Sequence, residues 1–224
     1  MHKNPPLIFV GAGGLAKELI GYFREAGLAD PLVLLKDFEG GEAAEQNVFG
    51  IPVRDLATYD GDCRNAVLAV GEPLPKKLMY QKCEGLGLTW VSFFHPTASL
   101  SPLAQIADGC VIGPFVVVAG DAQIDAFCFL NAHAAVGHDV QIGPFSSLMP
   151  AAIVAGKARL GREVLAATGS RILPGVAIGD RCRLAAGATA YRDAPPDHLL
   201  DGSPARASPD VFNMRRRMKL GLPD

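Results

Sequence analysis

Residues 124–148 read IDAFCFLNAHAAVGHDVQIGPFSSL, and every sixth of them (Ile124, Leu130, Val136, Ile142 and Leu148) is aliphatic. This lane runs back through Val118, Ile112 and Ile106 to Leu100. It runs forward through Val154, Leu160, Ala166, Ile172 and Ile178 to Leu184, and Ala166 is its only small member. A second lane, four residues behind the first, is small or β-branched throughout, from Cys110, Val116 and Ala122 to Val176, Cys182 and Ala188. Period six is neither the helix repeat nor plain strand alternation. It is the hexapeptide signature of a parallel β-helix, in which three hexapeptides close one triangular coil of about eighteen residues. Stacked at about 4.8 Å per coil, roughly five coils make a column on the order of 25 Å tall. No insertion breaks the period, so no long loop protrudes from it.

The rest of the chain reads differently. Leu7–Val10 is a short apolar run, followed by Gly11-Ala12-Gly13-Gly14 and an amphipathic segment carrying Leu19, Ile20 and Phe23. Apolar runs at 31–35, 66–70 and 89–94 alternate with a helical pattern at 75–86, in which Leu78, Met79 and Cys83 face inward. Strands alternating with helices imply a parallel sheet with right-handed crossovers. The expected division is an α/β unit over 1–94, the prism over 95–190 and a C-terminal extension over 191–224. Ser208 as N-cap and Pro209 at the first position start a short helix there. Its Arg215-Arg216-Arg217 run reads as a solvated face, with a phosphate contact as the sharper alternative.

Composition bounds the function. The 224 residues are 49% hydrophobic and carry a net charge of −2, which argues against a general nucleic-acid surface. No apolar run is long enough to cross a membrane. The five cysteines show no CxxC, and Cys110, Cys128 and Cys182 stack in the small lane as packing thiols of a reducing, cytoplasmic setting.

Two clusters could carry chemistry. Glycines between a strand and a helix let the backbone approach a ligand, and the helix N-terminus favours an anion. Asp37, at the end of the second strand, lies where a ribose or base contact is expected. The second cluster is His138-Asp139. A general base must reach the proton it removes, and an adjacent carboxylate can orient the imidazole. His138 and His133 belong to neither lane, so both point away from the prism core.

Here the sequence resembles the bacterial sialic acid O-acetyltransferase and nucleotide-aminosugar N-acetyltransferase family. The motifs are LIFVGAGGLAKE at 7–18, FGIPV at 49–53, AVGE at 69–72, HPTASLSP at 95–102, VGHDVQIG at 136–143 and DGSPAR at 201–206. The resemblance implies a Rossmann-like N-terminal domain followed by an all-β left-handed parallel β-helix, assembled as a homotrimer. It implies an acetyl-CoA-dependent N-acetyltransferase acting on a nucleotide-linked amino sugar, with O-acetylation of a glycan hydroxyl as the alternative acceptor chemistry. His138 matches the base, and Asp139 the residue that raises its basicity. Gly13, Gly14, Leu15, Asp37 and Gly71 match the nucleotide-sugar site. Ser147, Thr168 and Ala186 match the acetyl-CoA groove. Leu15, Lys36, Glu72-Pro73 and Ser147 depart from the usual residues.

Two other classes are tested against the same residues. A zinc site of the γ-carbonic anhydrase type would use His133 and His138, but its third ligand falls at Thr97, and two histidines do not make a catalytic zinc site; no metal is expected. A non-catalytic sugar-nucleotide scaffold would keep the glycine loop and have no use for the His138-Asp139 pair.

Overall fold

The computed structural model describes residues 5–37 and 46–222. From 93 to 190 the chain winds through three parallel sheets of two-residue strands, each strand pairing with the one eighteen residues on: Val111 with Phe129, Val117 with Ala135, Gln123 with Gln141. The lanes Ile112–Leu184 and Cys110–Cys182 are buried together in one continuous core. The result is a parallel β-solenoid of the left-handed β-helix type.

Each corner turns through a residue in the left-handed region. Phe115, Asp121, Phe127, His133, Asp139, Phe145, Ala151, Lys157, Glu163 and Arg181 have φ between 56° and 64°, with glycine at 109, 169, 175 and 187. A side chain in that conformation costs roughly 1–2 kcal/mol. From Phe127 onward the corner is held by its own ladder, since each such N–H donates to a carbonyl of the preceding coil: Phe127 to Asp108, His133 to Pro114, Lys157 to His138.

The outward residues of the three faces differ. The first face presents Phe93, Val111, Phe129, Ser147 and Leu165, all buried. The second presents Val117 and Ile153, both more than 40% exposed. The third presents Gln105, Gln123, Gln141 and Arg159, all exposed. An apolar face must be covered, and the N-terminal unit covers the first.

That unit holds β1 (Ile8–Val10), α1 (Gly14–Glu25), β2 (Leu34–Lys36), β3 (Gln46–Val48), β4 (Ile51–Asp55), β5 (Asn65–Leu68), α2 (Pro73–Lys82) and β6 (Thr89–Trp90). The sheet order is β3-β4-β2-β1-β5-β6, parallel except for the β3–β4 hairpin. Helix α1 packs with Phe93, Val111 and Phe129. Tyr80 of α2 and Trp90 of β6 pack on Phe127 and Phe145 at the corner joining the third face to the first.

The boundaries shift from the sequence expectation. Phe93–Phe94 pairs with Val111–Ile112 and opens the prism. His198–Gly202 pairs with Arg183–Leu184 and then with Ala205–Pro209, so the C-terminal extension begins by lengthening the first sheet. Pro209 ends that hairpin instead of starting a helix. Helix α3 (Val211–Lys219) is capped by Asp210, whose carboxylate accepts from Asn213 N at 3.0 Å, and not by Ser208. The β3–β4 hairpin had no counterpart in the sequence reading. Leu78 also departs from expectation: it is half-buried, and Lys76 takes the inward position.

Truncating a lane residue should cost far more than truncating the glutamine face. Leu130→Ala, at a fully buried position, is expected to lose about 2–5 kcal/mol in chemical denaturation. Gln123→Ala should stay within about 0.5 kcal/mol of the parent.

Candidate active site

The His138-Asp139 pair sits on the corner between the second and third faces. His138 Nδ1 lies 2.7 Å from Asp139 Oδ2. Asp139 occupies the left-handed corner position with φ 59°, a conformation Asp tolerates better than most residues. The backbone around the pair is clamped on both sides. Asp139 N donates to Gly120 O at 3.2 Å, and His138 O accepts from Lys157 N at 2.8 Å. Both side chains are more than half exposed. With Nδ1–H donated to the carboxylate, Nε2 presents its lone pair.

One coil on, Gly156 makes room for the ring. A Cβ at that position would lie 2.6 Å from His138 Nε2. The imidazole therefore lies flat against the Gly156 backbone, and position 156 accepts no side chain while the ring stays where it is.

The glycine loop forms at the C-terminal end of the central strand, β1. Its neighbours β2 and β5 lie on opposite sides, so the loop opens at the point where the strand order reverses, the usual ligand crevice of such sheets. Gly11 has φ +123°, and a Cβ there would come 2.5 Å from Ala69 O, so only glycine fits. Gly13 and Gly14 are exposed, with nothing within 4 Å of a Cβ at either. Gly13 caps α1 without a side-chain hydrogen bond, and no acid occupies the first turn. Leu15 is buried, and its Cδ2 and the ring of Phe129 lie within 4 Å of a Cβ placed on Gly71. Leu15 can therefore meet a ligand through its backbone only. Asp37 forms an ion pair with Lys82 at the end of α2.

The remaining expected residues separate. Thr168 and Ala186 are exposed and stacked one coil apart, on the corner between the first and second faces. His133 shares that corner and stacks on Phe115 at 5.0 Å. Ser147 does not join them. It is fully buried, its Oγ donates to Gly71 O at 2.7 Å, and it accepts from Lys76 Nζ at 2.8 Å. Its hydroxyl has no exposed surface to offer a cofactor groove; it ties the Gly71 turn to the prism instead. Among the described residues no group of three or more His, Cys, Asp or Glu could hold a metal ion.

Lys76 was missed in the sequence. It is 2% exposed and donates only to neutral oxygens, Ser146 O at 3.1 Å and Ser147 Oγ. Burial pushes its ammonium down to about 8. The signal was its place in the helical repeat, seven residues before the buried Cys83 and on the same face.

No family model matches the chain. A GDP-perosamine N-acetyltransferase of Escherichia coli O157:H7 is 28% identical over 90 residues, 40% of this chain and 41% of that protein. The chain spans about two fifths of the length of the curated relatives it matches. Solved structures match far more of it. A GDP-perosamine N-acetyltransferase from Caulobacter crescentus, in complex with CoA and GDP-perosamine and with one histidine replaced by alanine, is 27% identical. It has a TM-score of 0.80 and covers 91% of this chain and 97% of its own. The acetyltransferase domain of PglB from Neisseria gonorrhoeae gives 26%, 0.81, 92% and 100%. The chain resembles amino-sugar acetyltransferases.

Lys76 gives stability a pH dependence whose sign is fixed. Its folded pKa is depressed, so between about pH 8 and its ordinary value of 10.5 the unfolded chain holds a proton that the folded chain does not. Stability from this group therefore rises with pH across that window, by up to about 3 kcal/mol. Denaturation midpoints between pH 7 and 10.5 should show the rise, and Lys76→Met should remove it.

Proposed function

We propose that this protein transfers the acetyl group of acetyl-CoA to the amino group of a nucleotide-linked amino sugar, with His138 as general base. The observation that carries the reading is the His138 ring, oriented by Asp139 through Nδ1 and presenting Nε2 at an exposed corner. The sugar amine attacks the thioester carbonyl carbon, Nε2 takes the proton lost by nitrogen, and collapse of the tetrahedral intermediate expels the CoA sulfur. That proton then returns to the thiolate. No covalent enzyme intermediate is needed, and Cys110, Cys128 and Cys182 are buried. Reaction with acetyl-CoA and an activated sugar suits a cytoplasmic protein with free thiols.

The site needs more than one copy of the chain. The N-terminal unit, which we read as a Rossmann-like nucleotide-sugar-binding domain, covers the first face. The corner carrying His138 is opposite that face, so the glycine loop and the base of one chain do not meet. The loop lies toward the other edge of the second face, where Asn131 Nδ2 donates to Glu18 of α1 at 3.4 Å. Three copies packed around an axis through their second faces, where Val117 and Ile153 are exposed, bring one copy's edge against the next copy's His138. That edge holds Gly13, Gly14, the Leu15 backbone, Thr168 and Ala186. We propose this homotrimer, with acetyl-CoA along the shared groove and the nucleotide held near Gly71 and Asp37.

Free-CoA release from acetyl-CoA, measured against UDP-, GDP- and dTDP-linked amino sugars and sialic acid, tests the reaction. Turnover on a nucleotide amino sugar is expected, reduced about 10²- to 10⁴-fold in His138→Ala. Turnover on sialic acid alone would assign a hydroxyl acceptor, and undiminished turnover in His138→Ala would remove the base. Mixing tests the shared site. Trimers reassembled from equal amounts of His138→Ala and Gly14→Asp chains should regain about a quarter of parental activity; a site within one chain would regain none. Gly156→Ala should lower kcat about 10²-fold through a displaced ring, with KM for acetyl-CoA and the fold preserved.

A further inference from the structure

Helix α3 lies beyond the motifs of the resemblance, and the structure sets it against the sugar-binding unit. A single buried carboxylate does this. Glu163 accepts from Lys77 of α2 at 2.7 Å and from Arg217 of α3 at 2.9 Å, and it is 4% exposed. Burial alone would raise its carboxyl, but the two cations outweigh that and hold it below the ordinary glutamate range. With Arg217 locked inward, Arg216, Lys219 and Leu220, spaced as neighbours on one side of the helix, line a cleft facing α2.

The cleft encloses about 430 Å³ and is lined by Asp37, Pro75, Leu78, Met79, Lys82, Arg216, Lys219 and Leu220. Its volume falls within the range of small-molecule sites. Pro75, Leu78, Met79 and Lys82 stand at i, i+3, i+4 and i+7, so α2 contributes an apolar strip ending in a cation. Three cations oppose one carboxylate. Arg216 also reaches Glu72, next to Gly71, at 3.5 Å, with both side chains about half exposed. Such a half-exposed pair is weak and can exchange for a stronger anion. The cleft thus includes Asp37 at the end of β2, and its Arg216 links it to Glu72 beside the Gly71 turn.

We propose that α3 is a wall of the nucleotide site: Arg216 and Lys219 bind the diphosphate of the nucleotide-linked sugar, and the base lies on Leu78 and Met79. This rests on the nucleotide-sugar reading above and adds the C-terminal helix to it. CoA also carries a diphosphate on a nucleoside. The cleft suits the acceptor because it includes Asp37, where the nucleotide of the acceptor is expected.

Calorimetric titration of the full chain tests the assignment, using GDP, UDP, dTDP, guanosine, uridine, thymidine and CoA as probes. Arg216→Ala and Lys219→Ala should each weaken the bound diphosphate about tenfold, and the double variant about a hundredfold. Nucleoside and CoA affinities should move less than about twofold. Arg215→Ala, an equal charge change at an exposed residue outside the cleft, should leave diphosphate binding unchanged. Equal diphosphate binding by parent and double variant would overturn the role of α3 and leave the nucleotide reading standing. Absence of diphosphate binding to the parent would overturn both. CoA competing with GDP and weakened by the same variants would give the cleft to the acetyl donor and overturn the assignment to the acceptor.

Discussion

A strand two residues long makes too few hydrogen bonds to persist alone. Here seventeen of them persist because each corner returns the chain into register with the coil before it. The price is a left-handed residue every six positions, and most of these residues are not glycine. The cost is met locally, because from Phe127 onward each such N–H donates across to the preceding coil while the aliphatic lane fills the interior. The same ladder fixes the catalytic candidate: His138 is bonded through its carbonyl to the coil after it, and its neighbour Asp139 through its N–H to the coil before.

The outward positions then decide where everything else goes. A prism has three faces and one interior, and the lanes specify only the interior. The apolar column Phe93, Val111, Phe129 and Leu165 calls for a cover, which the N-terminal unit supplies. The glutamine column needs none. The column containing Val117 and Ile153 is mixed, apolar through Val117, Ala135 and Ile153 and polar at Ser99 and Arg171. Two exposed aliphatic residues of that face are left without a cover among the described residues.

Period six made the prism and its extent legible almost to the residue, because one error in phase would turn a whole lane outward. The glycine loop and the His138-Asp139 pair were legible for similar reasons, since their residue types tolerate few other uses at those places. What was not legible depended on distant packing. Ser147 lies next to a lane residue and looks like a groove position, but α2 descends on it and buries it under Lys76. Phe93–Phe94 reads as the end of one unit and is the start of another, because pairing with Val111–Ile112 is a relation across eighteen residues. Ser208 has cap chemistry, yet the hairpin claims it through pairing with Leu199, and Asp210 caps the helix instead.

Lys76 shows how the two units act as one. A fully buried ammonium with neutral partners is costly, and an apolar residue of its length would fill the same volume. What the lysine adds is direction. Its ammonium donates to Ser146 O and Ser147 Oγ, and Ser147 passes the connection on to Gly71 O. The turn that follows β5 is thereby tied to the prism through a chain of directed bonds, which packing alone would not orient. One residue further along, Glu72 meets Arg216 of α3, and four residues beyond that Lys76 itself begins the link back to the prism. The glycine-loop side of the sheet, the prism and the C-terminal helix converge on this one turn. Movement of the turn would therefore be felt at both ends of the crevice, and that coupling gives a buried charge here a use that a methionine could not supply.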